Sequence, residues 1–132
     1  MTLLVPNAGE ARMLKAVVNH TAPENPVLKL YTNNVTPGET DTAGTYTEAS
    51  GNGYAAITLT GSSWTITEGA PSDASYAQQT FTFTGNLGNV YGYFIVQASS
   101  GILLWAEKFS DGPYNIVNNG DQIKITPKIT LD

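Results

Sequence analysis

The sequence predicts an all-β fold: a mainly antiparallel β-sandwich or jelly roll with one N-terminal α-helix, spanning residues 1–132 as a single domain. Three observations carry that expectation. About eight short apolar runs are separated by turn-forming residues roughly every 8 to 12 positions, the spacing of sandwich strands. Within several of the runs, apolar and polar residues alternate with a period of two. Only one stretch, near the N-terminus, has helical spacing instead.

In that stretch, Asn7 followed by Glu10 has the pattern of a capping box. Ala11, Leu14 and Val18 share one face, with Val17 beside them. The expectation is a helix over about residues 8–18, ended by Asn19. Such a helix covers the apolar face of a sheet or docks as an arm on a neighbouring subunit. Met13 and Val17 belong to the surface a partner would meet.

Pro26 opens a strand over Val27–Tyr31, with Leu28 and Leu30 pointing away from Val27, Lys29 and Tyr31. Thr32–Gly53 is polar, rich in turn pairs, and longer than the roughly 12–15 residues usual for a structureless loop. It reads either as an exposed functional surface, with Tyr46 its one aromatic, or as a mobile surface excursion.

Tyr54–Thr60 is the next strand, with Ala55, Ile57 and Leu59 on one face. Gly61-Ser62-Ser63 turns it into Trp64–Thr67, where Trp64 and Ile66 are in phase. After a polar connection over 67–75, Ser75–Thr84 reads as one long strand. Its Ala77, Gln79, Phe81 and Phe83 oppose Thr80, Thr82 and Thr84, which predicts a sheet with one wet face.

Val90–Phe109 is the most apolar region. Two runs, Val90–Gln97 and Ile102–Lys108, are joined by Ala98-Ser99-Ser100-Gly101, a hairpin in which Gly101 supplies positive φ. Its low charge predicts a central position covered on both faces. Tyr114–Val117 is a short strand, and Asn118-Asn119-Gly120-Asp121 a turn. In Gln122–Leu131, Ile123, Ile125, Ile129 and Leu131 share a phase. Pro127 places that strand at an edge or breaks it in two. The expected core draws on Ile57, Leu59, Phe81 and Phe83, then on Phe94, Trp105, Ile123 and Ile125.

Composition narrows the function. Eleven acids against six bases give a net charge of −5, and no two bases are adjacent, which argues against nucleic acid. The chain has no cysteine, so thiolate chemistry and cysteine-bound metals are excluded. Leu3-Leu4-Val5 is too short for a signal core or a membrane span, and the expectation is a chain used without export or membrane insertion. His20 is the only histidine and has no positioned partner. No G-x-S-x-G elbow or S-x-x-K motif occurs. Glu107 and Asp111 are the one carboxylate pair a glycosidase could use, but no cleft-lining aromatic pattern accompanies them. No calcium loop or zinc spacing is present. The expectation is a non-catalytic protein without cofactor or metal.

The chain as a whole resembles a family of small tailed-phage virion proteins, labelled tail fibre or minor structural proteins. The residues that carry the likeness are Glu48-Ala49-Ser50-Gly51-Asn52-Gly53-Tyr54-Ala55, Tyr93-Phe94-Ile95, and Ser100-Gly101-Ile102-Leu103-Leu104-Trp105. Asn119-Gly120-Asp121 and the closing Ile-Lys-Ile-Thr-Pro-Lys-Ile-Thr-Leu-Asp complete it. It covers about residues 8–132. Ala56 stands where the family has arginine, and Asn52 where it has the middle of three glycines. The resemblance implies a virion location and binding to other particle proteins, either the major capsid protein, as a decoration (cement) protein, or tail, baseplate or fibre proteins. Small β modules in particles often sit on local symmetry axes, which suggests a homo-oligomer, with a trimer favoured. An alternative is a glycan-binding receptor-recognition module, for which Tyr46, Trp64, Tyr76 and Tyr114 are available as stacking platforms.

Overall fold

The computed structural model describes residues 3–131; Met1, Thr2 and Asp132, the last residue of the closing motif, lie outside them. Helix α1 (Asn7–Val17) is followed by β1 (Pro26–Tyr31), β2 (Ile57–Thr58), β3 (Thr65–Thr67), β4 (Ser72–Ser75) and β5 (Gln79–Thr82). Then come β6 (Gly88–Val90), β7 (Gly92–Gln97), β8 (Leu103–Lys108), β9 (Tyr114–Ile116), β10 (Gln122–Ile125) and β11 (Lys128–Leu131). The pairings between these strands are all antiparallel. The fold is an all-β, sandwich-like arrangement with one N-terminal helix.

The main sheet has the order β2-β1-β7-β8. Every residue of β7 is buried, because both faces of this sheet are covered. On one face, Leu28, Leu30, Tyr93, Ile95 and Trp105 pack against Leu59, Phe81, Phe83, Ile123 and Ile125. On the other, Phe94, Val96 and Tyr31 pack beneath Tyr46, with Val35 and Ala43 alongside. The alternation along β7 sends Tyr93 and Ile95 to one layer and Phe94 and Val96 to the other, as strand geometry requires. A bulge between Ile95 and Val96 shifts the register against β8, so consecutive Leu104 and Trp105 both enter the first layer. Ile57 is half-buried at the margin of that layer, while the other seven expected core residues are buried.

Several sequence expectations are corrected. The Asn7–Glu10 capping box does not form: the N-cap is Pro6, without a side-chain cap bond. The Asn7 backbone N–H instead donates to the Glu39 carbonyl at 3.0 Å, so the loop supplies the partner a cap would have given. Thr32–Gly53 is not a wholly exposed excursion. It contains a short 3-10 turn at Ala43–Thr45, and it covers the second face of the main sheet through Tyr46, which is 5% exposed. A fully apolar central strand needs two covers, and this segment is the second.

The expected strand Tyr54–Thr60 shrinks to β2. Gly51, Asn52 and Gly53 all have positive φ (78°, 50° and 81°), so the chain is still turning there. Tyr54 then folds inward to stack on Phe81, with ring centroids 5.8 Å apart. Ile66 does not share the burial of Trp64. Trp64 precedes β3 and is half-buried, whereas all three residues of β3 are exposed. The expected long strand Ser75–Thr84 shortens to β5, the expected polar connection before it contains β4, which ends at Ser75, and the final run divides in step with the two. β4 pairs with β11, and β5 with β10. Pro127, without an N–H, sits at the break. Its carbonyl accepts the Tyr76 N–H at 2.9 Å and joins the two ladders. The threonine face is solvated: Thr80, Thr82 and Thr84 are exposed while Phe81 and Phe83 are buried.

Candidate functional site

The seat of α1 on the body is made by Gly9, Arg12, Met13 and Ala16, a row with the spacing of one helix face. Gly9 lies directly on the backbone of β8, where a Cβ would collide with the carbonyl oxygen of Leu104. Met13 is half-buried against the first core layer.

Arg12 is the exceptional member, a cation 5% exposed. Its Nε–H donates to Gln97 Oε1, and its Nη2 donates to the Ala22 carbonyl at 2.5 Å. Glu24 Oε2 stands 3.6 Å from the guanidinium. Glu24 Oε1 accepts the backbone N–H groups of Ser99 and Ser100 at 2.6 and 2.8 Å. Those bonds, led by Ser100, hold its carboxyl below the usual carboxylate range. The Ser100 hydroxyl donates to Gln97 Oε1 at 3.1 Å. One polar clamp thus fastens the helix and the loop after it to the turn of the β7–β8 hairpin. The buried charge is tolerable because each of its partners accepts a hydrogen bond or carries the opposite charge.

With the seat made this way, the apolar stripe points outward. Leu14 is 65% exposed, Val17 83% and Val18 70%. Positions i, i+3 and i+4 place the three side by side. The chain leaves the helix beyond them through Asn19, at φ 58°, without folding back over the stripe. The expected apolar face of the helix (Ala11, Leu14, Val18) is therefore not the face that meets the sheet. An uncovered row of large aliphatic side chains on a rigid support is a feature of interaction surfaces.

The other expected surface residues are dispersed. Tyr46 is buried, 4.9 Å from Tyr31 and 5.1 Å from Phe94 by ring centroids, and its hydroxyl donates to Asp41 at 2.7 Å. Burial and that bond push its phenol well above the usual range. Trp64 is half-buried, edge-on to Tyr76 at 5.2 Å and to Trp105 at 6.3 Å. Tyr76 is also half-buried, its hydroxyl accepting the Thr60 N–H at 3.1 Å. Tyr46 and Trp64 lie in different core layers, on opposite faces of the main sheet, and cannot form one stacking platform. Tyr114 is partly exposed, stacked on Phe109 at 4.5 Å. Its hydroxyl donates to Asp111 at 2.5 Å, which pushes its phenol up to about 12.

Of the carboxylate pair, Glu107 accepts the Tyr93 hydroxyl at 2.6 Å and Asp111 that of Tyr114, so each is engaged by a tyrosine. His20 is exposed and shares a 2.9 Å hydrogen bond with Thr21. Among the described residues, no group of three or more His, Asp or Glu is placed to hold a metal ion, and no helix is long and apolar enough to cross a membrane.

The clamp residues Arg12, Glu24 and Gln97 were not among the expected site residues. A signal for them was present. Gly9-x-x-Arg12-Met13-x-x-Ala16 is itself a helical row, small at both ends, and small residues permit close approach. No protein-family model, curated protein or solved structure matches the chain.

Proposed function

We propose that this protein is a non-catalytic structural component of a bacteriophage virion, a capsid decoration (cement) protein that binds other particle proteins through the outward face of α1. One observation carries the reading. The helix turns Leu14, Val17 and Val18 to solvent while fastening itself to the body through Arg12. A helix that served only to cover the sheet would place those residues inward. The motif resemblance over about residues 8–132 supports the virion class. The bonded covering of the Thr32–Gly53 segment supports a rigid plug-in module rather than a flexible tether. A homotrimer, each copy presenting its helix to the lattice, fits the same reading.

The test is to purify intact particles and count copies of this protein per particle by quantitative mass spectrometry. Hundreds of copies are expected for a component repeated over the capsid lattice. A count of about three to a few dozen, the range of closed ring symmetries, would move the protein to the tail, baseplate or fibres. None would overturn the virion reading.

A further inference from the structure

Away from α1, the ring of Tyr114 and the strand Gln122-Ile123-Lys124 line an open groove of about 400 Å³. That volume is within the roughly 300–1,000 Å³ of small-molecule sites. Tyr114 is held rigidly there, with Phe109 stacked on it and its hydroxyl bonded to Asp111. Along β10, Gln122 and Lys124 are exposed while Ile123 and Ile125 are buried. The register sets Gln122 opposite Thr82 and Lys124 opposite Thr80. Gln122 Nε2 donates to Thr82 Oγ1 at 3.3 Å. The groove therefore combines a fixed aromatic ring with an amide and an ammonium, and Thr82 and Thr80 stand on the neighbouring strand beside it.

The chemistry of that set selects among ligands. A multiply charged anion would meet one lysine, with Asp111 close by and a net charge of −5 overall. An apolar ligand would gain little from an open groove with a polar face. A pyranose offers an apolar C–H face for the ring and hydroxyls for the amide and the ammonium, the mixture of one apolar platform and a few convergent polar groups that fixes small ligands. Of the four candidate platforms, Tyr46 is buried, Trp64 and Tyr76 pack against each other beside Trp105, and Tyr114 lines this groove. We propose that the Tyr114–Gln122–Lys124 groove is a binding site for a neutral pyranose, either free or as a unit of a polysaccharide. This site uses none of the helix-face residues and adds a sugar-contacting function to the docking role.

The experiment is an amide-resolved NMR titration of the full chain with methyl α-D-glucopyranoside, methyl α-D-mannopyranoside, N-acetyl-D-glucosamine and maltohexaose. Shifts confined to Tyr114, Gln122, Lys124 and their β5 neighbours are expected with at least one probe, saturating at about 1–10 mM, the range of weak single-site binding. Tighter binding of maltohexaose than of the monomers assigns the site to a polymer; equal binding assigns it to a free sugar. Tyr114→Ala should weaken binding by about tenfold or more, and the exposed substitution Gln122→Ala keeps the test valid if Tyr114→Ala fails to fold. Val17→Asp should leave sugar binding unchanged. No localised shift with any of the four probes overturns the proposal, as do shifts that survive both groove substitutions.

Discussion

Arg12 donates its Nε–H to the side-chain oxygen of Gln97, and the two buried residues lie 85 positions apart in the chain. This contact ties the only α-helix among the described residues to the strand on which the main sheet is centred. Glu24 completes it by holding the hairpin turn through the Ser99 and Ser100 amides. The helix is thereby fixed by polar groups, and its aliphatic stripe of Leu14, Val17 and Val18 is left exposed.

Arg12→Ala should loosen the helix selectively. It leaves the Gln97 side-chain oxygen and the Ala22 carbonyl without their donor, and a buried polar group left unsatisfied costs about 1–3 kcal/mol. Urea titration measures the loss, and far-ultraviolet circular dichroism should show reduced helical signal with the β signal retained. An unchanged midpoint would mean that the clamp contributes nothing.

Gly9→Ala gives a prediction whose sign separates two effects. Helix propensity alone favours alanine by about 1 kcal/mol. The added methyl, however, would collide with the Leu104 carbonyl, a backbone atom of β8, and overpacking of this kind costs about 1–3 kcal/mol. The expected outcome is net destabilisation in a denaturant titration. Stabilisation would show that the helix does not sit on β8 at this distance.

The hydrophobic pattern carried much of the fold. The hairpin of β7 and β8, the solvated threonine face of β5 and the break at Pro127 follow from alternation, low charge and the missing proline N–H. The seat of α1 does not follow from its own apolar periodicity. Its attachment is decided by Gly9 meeting a distant carbonyl and by Arg12 meeting Gln97 and Glu24, partners that only the folded hairpin assembles. The Thr32–Gly53 segment was opaque for a related reason. Its polar residues satisfy one another locally, as Asp41 does by accepting the Gly38 N–H at 2.8 Å and the Tyr46 hydroxyl, so the segment looks like loop although it buries Tyr46. On the helix, the expected partner surface of Met13 and Val17 divides: Val17 is exposed, whereas Met13 packs against the core, and Leu14 and Val18, which periodicity places on the sheet-covering face, are exposed.

Stability should fall on the alkaline side. Burial, before any other cause, raises the phenols of Tyr31, Tyr46, Tyr54 and Tyr93 above their usual value. In Tyr114 the Asp111 hydrogen bond does the same. A folded-state pKa above the unfolded value of about 10 means that this stability is complete below pH 10 and is lost as pH rises beyond it. The tyrosinate absorbance of these five, out of seven tyrosines in the chain, should rise late and together with unfolding. A gradual titration of all seven centred near pH 10 with the fold intact would contradict the burial of these rings. At the acid end, Glu24 and Asp121 are depressed, chiefly by backbone bonds from Ser100 and Asn118 respectively. Their contribution is present above the ordinary carboxylate pKa of about 4 and is lost as pH falls below it.

The proposed docking role rests on Leu14 and Val17, and one binding measurement addresses it directly: sedimentation of purified protein with particles that lack it, comparing wild type with Leu14→Asp and Val17→Asp. Both positions are exposed, so the folded stability of each variant should stay within about 0.5 kcal/mol of wild type. The account predicts that wild type co-sediments with the particles and that both variants remain in the supernatant. Equal co-sedimentation of wild type and variants would contradict it, because the outward face of α1 would then not be where the particle is held.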